Sequence, residues 1–559
     1  MRRVWLILLL ALLLSGCAEL RQERAVVETI NMAPAAVPAQ NFPQETATVA
    51  RFQARGALVV GVRYDLEPFS YITAENVLMG LEVDLAREFA KRWLGDSQAV
   101  TFIQVRSDTA LHHLQTGAVD FVLAGLTHTQ QADAQADFSE PYFINGQALL
   151  TFPELGVQSV NDIQGRPVGV VGWTGSRTAL QTTAPFTLTL SSYNNFFEVV
   201  EALRTRQVQT YGDMRHRLAR AQRQLPGTVI VGQYTWEPVA VAYRQNDPFF
   251  ANLLNFTLQD MRADGTLAAL YTTWLPGLAP PPVPLWPGSA SAPLLEQAPP
   301  QLSTVDTIAN ISAGQVLTVG YIVDRWPYTA DRTDGTQTGF EIRLLERVAE
   351  RWLGNRQALR LVPVTAQDGL QRLARGEVHL LAGGWLRTRE SELRADFSIA
   401  IYDDGVSLLS LVNTPVATPT DLGGKHIGIV AGSAGEAALS LVLQHYGVGL
   451  SAVTYPDITA ALLGLRQGEV GAIMAERQLL LYPRYFETGF TLSDARFTYR
   501  PVAWAMAEGD SDFHDLVNHT LATLESTGVY QEFYEAWFGD PLPTLDTRPG
   551  SPIRPLIIE

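Results

Sequence analysis

Cys17 is the only thiol in 559 residues, so neither an internal disulfide nor a cysteine-held metal cluster is available to this chain. The other groups able to do chemistry are scattered. His112 and His113, adjacent on a predicted helix, point about 100° apart and cannot chelate one ion together. His514 and His519, five residues apart, miss the i, i+4 face that a metal pair uses. Asp133-Ala134-Gln135-Ala136-Asp137 lacks the glycine and distal glutamate of a calcium loop and reads as solvated surface. No glycine-rich loop ends in Lys-Ser/Thr, so nucleotide hydrolysis has no phosphate cradle. No two carboxylates stand at a recognisable catalytic spacing. Neither a metal nor a cofactor is expected, and the chain does not read as an enzyme.

The elements around Cys17 give the thiol a role. Arg2 and Arg3 precede an apolar run from Val4 to Leu14, and Leu14-Ser15-Gly16-Cys17 follows: a basic region, a short apolar region and small residues at a cleavage point. The run is too short to span a bilayer. Leu-Ser-Gly-Cys resembles the bacterial lipobox, which implies cleavage before Cys17 and acylation of its thiol and new amino terminus. Acyl chains, at about 0.8 kcal/mol per buried methylene, would moor the protein to the extracytoplasmic face of a membrane. Residues 18–50, rich in Ala, Gln, Glu and Pro, read as a flexible tether.

The rest is globular. Apolar residues make up 47% and charged residues 18%, which excludes a disordered chain, and at about 150 residues per domain the length allows three or four compact units. A net charge of −16 provides no phosphate-binding surface, so nucleic acid is not an expected partner. No other segment reaches the ~18 uninterrupted apolar residues of a spanning helix.

The body is an internal duplication. Leu58-Val59-Val60-Gly61 and Leu317-Thr318-Val319-Gly320 are 259 residues apart, as are Arg92-Trp93-Leu94-Gly95 and Arg351-Trp352-Leu353-Gly354. The same offset relates Gly80 to Gly339, Asp137-Phe138-Ser139 to Asp396-Phe397-Ser398, and Val168-Gly169-Val170 to Ile427-Gly428-Ile429. So long a period means two copies of a whole domain. The expected domains are 51–277 and 315–540, joined by a Pro-rich linker at 278–314 and followed by a tail at 541–559. Within each copy strand and helix periodicities alternate. Ala57–Val62 reads as a buried parallel strand. Leu85, Phe89 and Trp93 mark one helix face that ends at Gly95, and Leu344, Val348, Trp352 and Gly354 repeat it. Val100–Val105, Ala110–Gln115 and Phe121–Ala124 complete a βαβαβ order, so the class is α/β. A second series from Val168 and from Ile427 divides each copy into two lobes.

Gly80-x-Glu82-x-Asp84-Leu85, Gly125-x-Thr127-x-Thr129, Asp137-Phe138-Ser139-x-Pro141-Tyr142, the Asp162–Gly165 turn and Thr174-Gly175-Ser176 follow Pro68-Phe69 in order. This succession, over 56–276 and more faintly over 315–540, resembles family 3 of the bacterial extracellular solute-binding proteins. The resemblance implies two tandem periplasmic-binding-protein-like (type II) domains, each of two α/β lobes with a cleft between them. It also implies capture of a small polar solute, usually an amino acid, for an ABC importer permease. Ligands in open α/β sheets sit at the carboxyl ends of strands, and such clefts close by hinge motion.

Carried over position by position, the resemblance has one gap. The arginine that forks onto a ligand carboxylate in amino-acid binders is Ala132 in the first copy and Ser391 in the second, and neither can replace it. Arg387 and Arg389 lie close by in the second copy; His128 is the nearest group in the first. The acid that pairs with a ligand ammonium maps to Glu476, and in the first copy Asp213 is nearest, on a segment one residue shorter than the pattern. Thr127, Thr129, Thr174 and Ser176 are the first-copy loop candidates, loop capping being their other reading. Gly384, Thr388, Gly432 and Ser433 match in the second copy, where Trp385 and Leu386 replace polar residues. Tyr64, Phe69, Trp326 and Tyr328 are aromatic candidates for stacking, with Phe69 read as core.

Two other functions stay open at this level: a sensing module that reports to a histidine kinase or chemoreceptor, and an enzyme on the same fold, of dehydratase or murein-cleaving type. The divergent loops between the copies suggest two specificities or one degenerate cleft. Replacing Cys17 with Ser is expected to abolish incorporation of labelled palmitate and release the protein from the membrane fraction; an unchanged membrane fraction would refute the anchor.

Overall fold

The computed structural model describes residues 42–172 and 175–539. The leader with Cys17, the tail at 541–559 and Thr174 lie outside the described residues. No helix among the described residues is long and apolar enough to cross a membrane.

Each copy is built on two five-stranded sheets. In the first lobe Leu58–Val62, buried at all five positions, runs parallel to Val100–Gln104 on one side and Phe121–Leu123 on the other. Ala242–Tyr243 and Asp137–Phe138 complete the sheet antiparallel. The second lobe orders Thr189–Tyr193, Pro167–Val171, Thr210–Met214, Gln147–Thr151 and Val229–Val231. The second copy repeats both orders: Leu359–Val364, Leu317–Ile322, Leu380–Ala382, Ala505–Met506 and Asp396–Phe397, then Ala452–Tyr455, Ile427–Val430, Ala472–Glu476, Val406–Leu411 and Phe490–Leu492. Two crossing segments join the lobes as a short antiparallel ribbon, Phe143–Asn145 with Glu237–Val239 and Tyr402–Asp403 with Pro501–Val502. A ribbon of this kind is the hinge of a two-lobed clamp.

The helices follow the apolar periodicity. Leu81–Leu94 buries Leu85, Phe89 and Trp93 and ends at Gly95 in the left-handed region, φ 79°. Its start requires glycine: at Gly80, φ 134°, an added Cβ would stand 2.1 Å from the Phe69 carbonyl oxygen. Gly339 repeats this, 2.2 Å from the Tyr328 carbonyl oxygen. The Trp93 indole donates to Thr257 Oγ1 and the Trp352 indole to Thr520 Oγ1, both at 2.9 Å.

The copies begin earlier than the strand pattern suggests. The helix Thr48–Arg55 precedes the first strand and Thr307–Gly314 precedes its counterpart. Thr48 N donates to Asp247 Oδ2 and Thr307 N to Asp510 Oδ2, both at 2.7 Å. Residues 42–50 are thus not all tether, because Ala47, Thr48 and Val49 are buried against the body. The Pro-rich stretch is also no free spacer. Trp286 is 5% exposed, its N–H donates to Gln259 Oε1 at 2.8 Å, and its ring meets Phe256 edge-on.

The two copies pack together reciprocally. The short helix Gln130–Asp133 of the first meets Ser511–Ser526 of the second, where His519 Nε2 lies 2.7 Å from Asp133 Oδ2 and Ser511 Oγ donates to Asp137 Oδ2 at 2.7 Å. Its counterpart Arg389–Glu392 meets Pro248–Ala263, where Asn252 donates to the Glu392 carbonyl at 3.0 Å and Arg389 pairs with Asp260 at 3.0 Å. The two carboxylates of the Asp133–Asp137 segment are therefore interface groups, not solvated ones, while Ala134 and Gln135 between them stay exposed: Asp133 is 4% exposed, and burial pushes the Asp137 carboxyl well above its usual range. The sequence misses this because the partner element lies nearly four hundred residues away.

The Asp133 hydrogen bond raises the His519 pKa, while hydrogen bonds from His128 and His519 outweigh burial and lower that of Asp133. A histidine raised above 6.5 stabilises fully below that value and loses the contribution as pH rises; a depressed aspartate contributes above 3.8 and loses it as pH falls. His519→Asn is expected to lower the Tm most between about 3.8 and 6.5, with a smaller loss at pH 8.5. Calorimetric scans of the full chain at several pH values test this, and a pH-independent difference would refute it.

Candidate functional site

In each first lobe the carboxyl ends of the parallel strands meet loops held by one buried carboxylate. Glu82, fully buried in the first turn of its helix, accepts from Gly125 N at 2.6 Å, from Ser70 Oγ at 2.7 Å and from the Tyr142 hydroxyl. Glu341 accepts from Gly384 N at 2.7 Å, Gly383 N at 2.8 Å and the Trp504 indole at 3.0 Å. Burial raises both pKa values, that of Glu341 to about 7, against the pull of these donors. The sequence marked Glu82 as a motif position and gave it no task, and Glu341 stands 259 residues after it.

Thr127 is half-buried and bridged to Val239 of the hinge, while Thr129 caps Gln130–Asp133 by accepting from Ala132 N at 3.2 Å. Ser176 is buried and donates to Asp213 Oδ1 at 3.2 Å. Asp213 is itself sealed, accepting from the Tyr211 hydroxyl and from Met214 N at 2.8 Å, with Arg217 3.6 Å away. Strand register explains the difference from the second copy. Asp213 pairs with Ala148 and Met214 with Gln147, whereas Ala475 pairs with Ser407 and Glu476 with Val406. The counterpart of Glu476 is thus Met214, because a one-residue shift turns Asp213 to the opposite face of its strand. Tyr64 is half-buried at the edge of the core; Phe69 is 2% exposed and packs on Phe143 and His216, whose pKa burial lowers to about 3.

In the second copy Thr388 and Ser433 are helix caps, accepting from Ser391 N at 3.1 Å and Glu436 N at 3.3 Å. Glu476, half-buried, accepts from Ala434 N at 2.8 Å and stands at the carboxyl end of its strand. Arg387 faces the inter-copy side, paired with Glu392 and 4.6 Å over the Trp286 ring. Arg389 is likewise committed, 4.2 Å over Phe256. Neither arginine therefore fills the place left by Ser391. Trp326 reaches across to the second lobe, with ring centroids 5.2–5.7 Å from Phe486, Tyr485 and Tyr482. Tyr328 is fully buried.

Asp133, Asp515 and His519 bring ligand atoms within 4.8 Å of one another, the one such group among the described residues, yet it lies between the copies and its Asp133 oxygens are bonded to His128 and His519. The sequence reading passed over Arg325 and Arg500 in the second copy and Glu237 in the first. Arg325 stands 259 residues after Leu66, so the duplication could have exposed it. Arg500 is opposite Asp404 in the hinge, the place that Glu237 takes opposite Asn145. Insertions widen the offset to 263 by this point and conceal the match.

The family described as bacterial extracellular solute-binding proteins, family 3, matches residues 58–277 and again 317–540. The chain belongs to this family. It is a tandem pair of type II periplasmic-binding-protein-like domains. It is 28% identical over 235 residues to the ABC transporter glutamine-binding protein GlnH of Bacillus subtilis, covering 41% of this chain and 84% of that one. It is 26% identical over 253 residues to a glutamate/aspartate import solute-binding protein of Salmonella typhimurium, covering 44% and 83%. The solved ancestral amino-acid-binding protein AncCDT-1, a precursor of cyclohexadienyl dehydratase, is 30% identical with a TM-score of 0.32, covering 41% of this chain and 100% of that one.

Glu341→Ala would leave two buried backbone N–H groups and an indole N–H without an acceptor, a loss of about 3 kcal/mol in unfolding free energy. A carboxyl whose pKa rises from 4.5 to about 7 on folding makes the wild type less stable as pH increases across that window. The cost of the substitution is accordingly expected to shrink between those values; urea titrations at pH 5 and 8 read it, and a growing cost would contradict the assignment.

Proposed function

We propose that this chain is a lipid-anchored extracytoplasmic receptor that captures a small polar, amino-acid-like solute for an ABC importer. The observation that carries the reading is the repeated pinned loop: in both copies a buried glutamate holds glycine N–H groups at the carboxyl ends of parallel strands, facing a second lobe across a hinge ribbon. A loop pinned in this way, with short hydroxyl side chains on it, gives the crevice a geometry that is set before a polar solute arrives. The names of the relatives, glutamine-binding and glutamate/aspartate import proteins, support amino acids as the first solutes to test. The leader and Cys17 supply the anchor, and capture requires no covalent step.

Sequence and structure agree that the loop arginine is missing. Ser391 spends its hydroxyl on the Leu386 carbonyl at 2.9 Å, so a ligand carboxylate must be gripped elsewhere in the second copy. A thermal-shift panel of amino acids and small organic acids tests the reading. A bound solute at a hundred times its Kd stabilises the native state by about 2.7 kcal/mol, and the Tm rises accordingly. A panel in which no solute raises the Tm would refute the receptor function.

A further inference from the structure

The second cleft contains buried donors that nothing among the described residues satisfies. The Nε atoms of Arg325 and Arg500 and the hydroxyl of Tyr328 are buried without a hydrogen-bond partner among the described residues. Buried donors are almost always paired, because an unpaired one forfeits its hydration without return. Arg325 and Tyr328 are neighbours, and Asp404 links them to Arg500. Arg325 lies on the loop that follows Leu317–Ile322, and a Cβ built on Gly384 would stand 3.5 Å from Arg325 Nη2 and 2.6 Å from the Tyr328 ring. Gly384 belongs to the loop pinned by Glu341. Arg500 enters from the hinge, its carbonyl accepting from Asp404 N at 2.8 Å. The Asp404 carboxyl lies within electrostatic reach of both Tyr328 and Arg500. Burial raises its pKa to about 7, so it offsets the arginine charge only in part near neutrality.

We infer that Arg325 and Arg500, with the Tyr328 hydroxyl, form an anion subsite that makes the second cleft selective for a solute of net negative charge, a dicarboxylate in place of a neutral or cationic amino acid. The inference rests on the receptor reading and names the ligand class of one of its two sites. Guanidinium forks suit carboxylate geometry, and a desolvated pair strengthens the contact. Among the described residues the first cleft has no matching pair of arginines at these two places. Leu66 stands where Arg325 does and Glu237 where Arg500 does, while its own Arg63 is already paired with Asp65 at 2.8 Å and Ser107 at 2.9 Å. The two clefts thus differ in sign at the hinge, and the first does not share the preference for an anion.

Titration calorimetry on the full chain with succinate, L-glutamate, L-glutamine and L-arginine tests this. Succinate or L-glutamate is expected to bind at a site that Arg325→Gln and Arg500→Gln each weaken at least tenfold, with partial recovery in Arg325→Lys. Arg106→Gln, an exposed first-copy control 79% accessible at its side chain, is expected to leave binding unchanged. An unchanged far-UV circular dichroism spectrum and a single cooperative melting transition in each ligand-free glutamine variant separate lost binding from lost folding, since Asp404 and Glu341 feel these charges. Acid binding that survives both substitutions, or L-glutamine or L-arginine binding with no acid binding, overturns the anion subsite and leaves the receptor reading intact. Absence of binding by all four, together with a silent thermal-shift panel, overturns the receptor reading itself.

Discussion

A carboxylate sealed into the first turn of a helix governs both clefts. Glu82 and Glu341 have 0% exposure, and each uses its oxygens to hold the backbone of the loop that follows the third parallel strand. The same helix starts also grip the loop after the first strand, since Glu82 N donates to the Phe69 carbonyl and Glu341 N to the Tyr328 carbonyl. That approach is possible only with glycine at 80 and 339. Two lips of each crevice are therefore positioned by one buried group. The desolvation that raises the pKa of these acids is offset by several donors at once, which ties the loop geometry to the stability of the lobe.

With the frame held in this way, side chains at the rim were free to diverge. Leu66 and Arg325, Glu237 and Arg500, and Met214 and Glu476 occupy matching places and differ in charge. None of these exchanges disturbs strand order or hinge pairing, which are the same in both copies. A binding site can change sign on a fixed scaffold because its polar groups face a crevice whose occupant completes their hydrogen bonds. The buried cores behave differently, with large apolar groups such as Phe89 and Val348 at corresponding helix positions.

The copies are also not independent. Their contact consumes groups that resemble ligand-binding or solvated residues: Asp133 and Asp137, His519, Arg389 and Asn252 all bond across it. Arg387 is drawn to the same side by Glu392 and by Trp286 from the Pro-rich stretch. A connection that packs and an interface carrying several hydrogen bonds leave the hinges inside each copy as the places where motion can occur.

The sequence alone determined the duplication, the α/β class, the division into lobes and the helix ends at Gly95 and Gly354, because apolar periodicity and glycine placement are local and survive without knowledge of the partner surface. It also located the motif glutamate Glu82 and the missing loop arginine. Tertiary structure decided what each polar group does. Asp213 and Glu476 sit near matching chain positions, yet register turns one inward and leaves the other at the rim. Arg387 looked available and is committed to Glu392, while Arg325 and Arg500, which the sequence reading passed over, keep buried Nε atoms with no partner among the described residues. The physical reason is common to all of them: the role of a charge is set by which oppositely charged or hydrogen-bonding group reaches it through space, and that group lies dozens to hundreds of residues away along the chain.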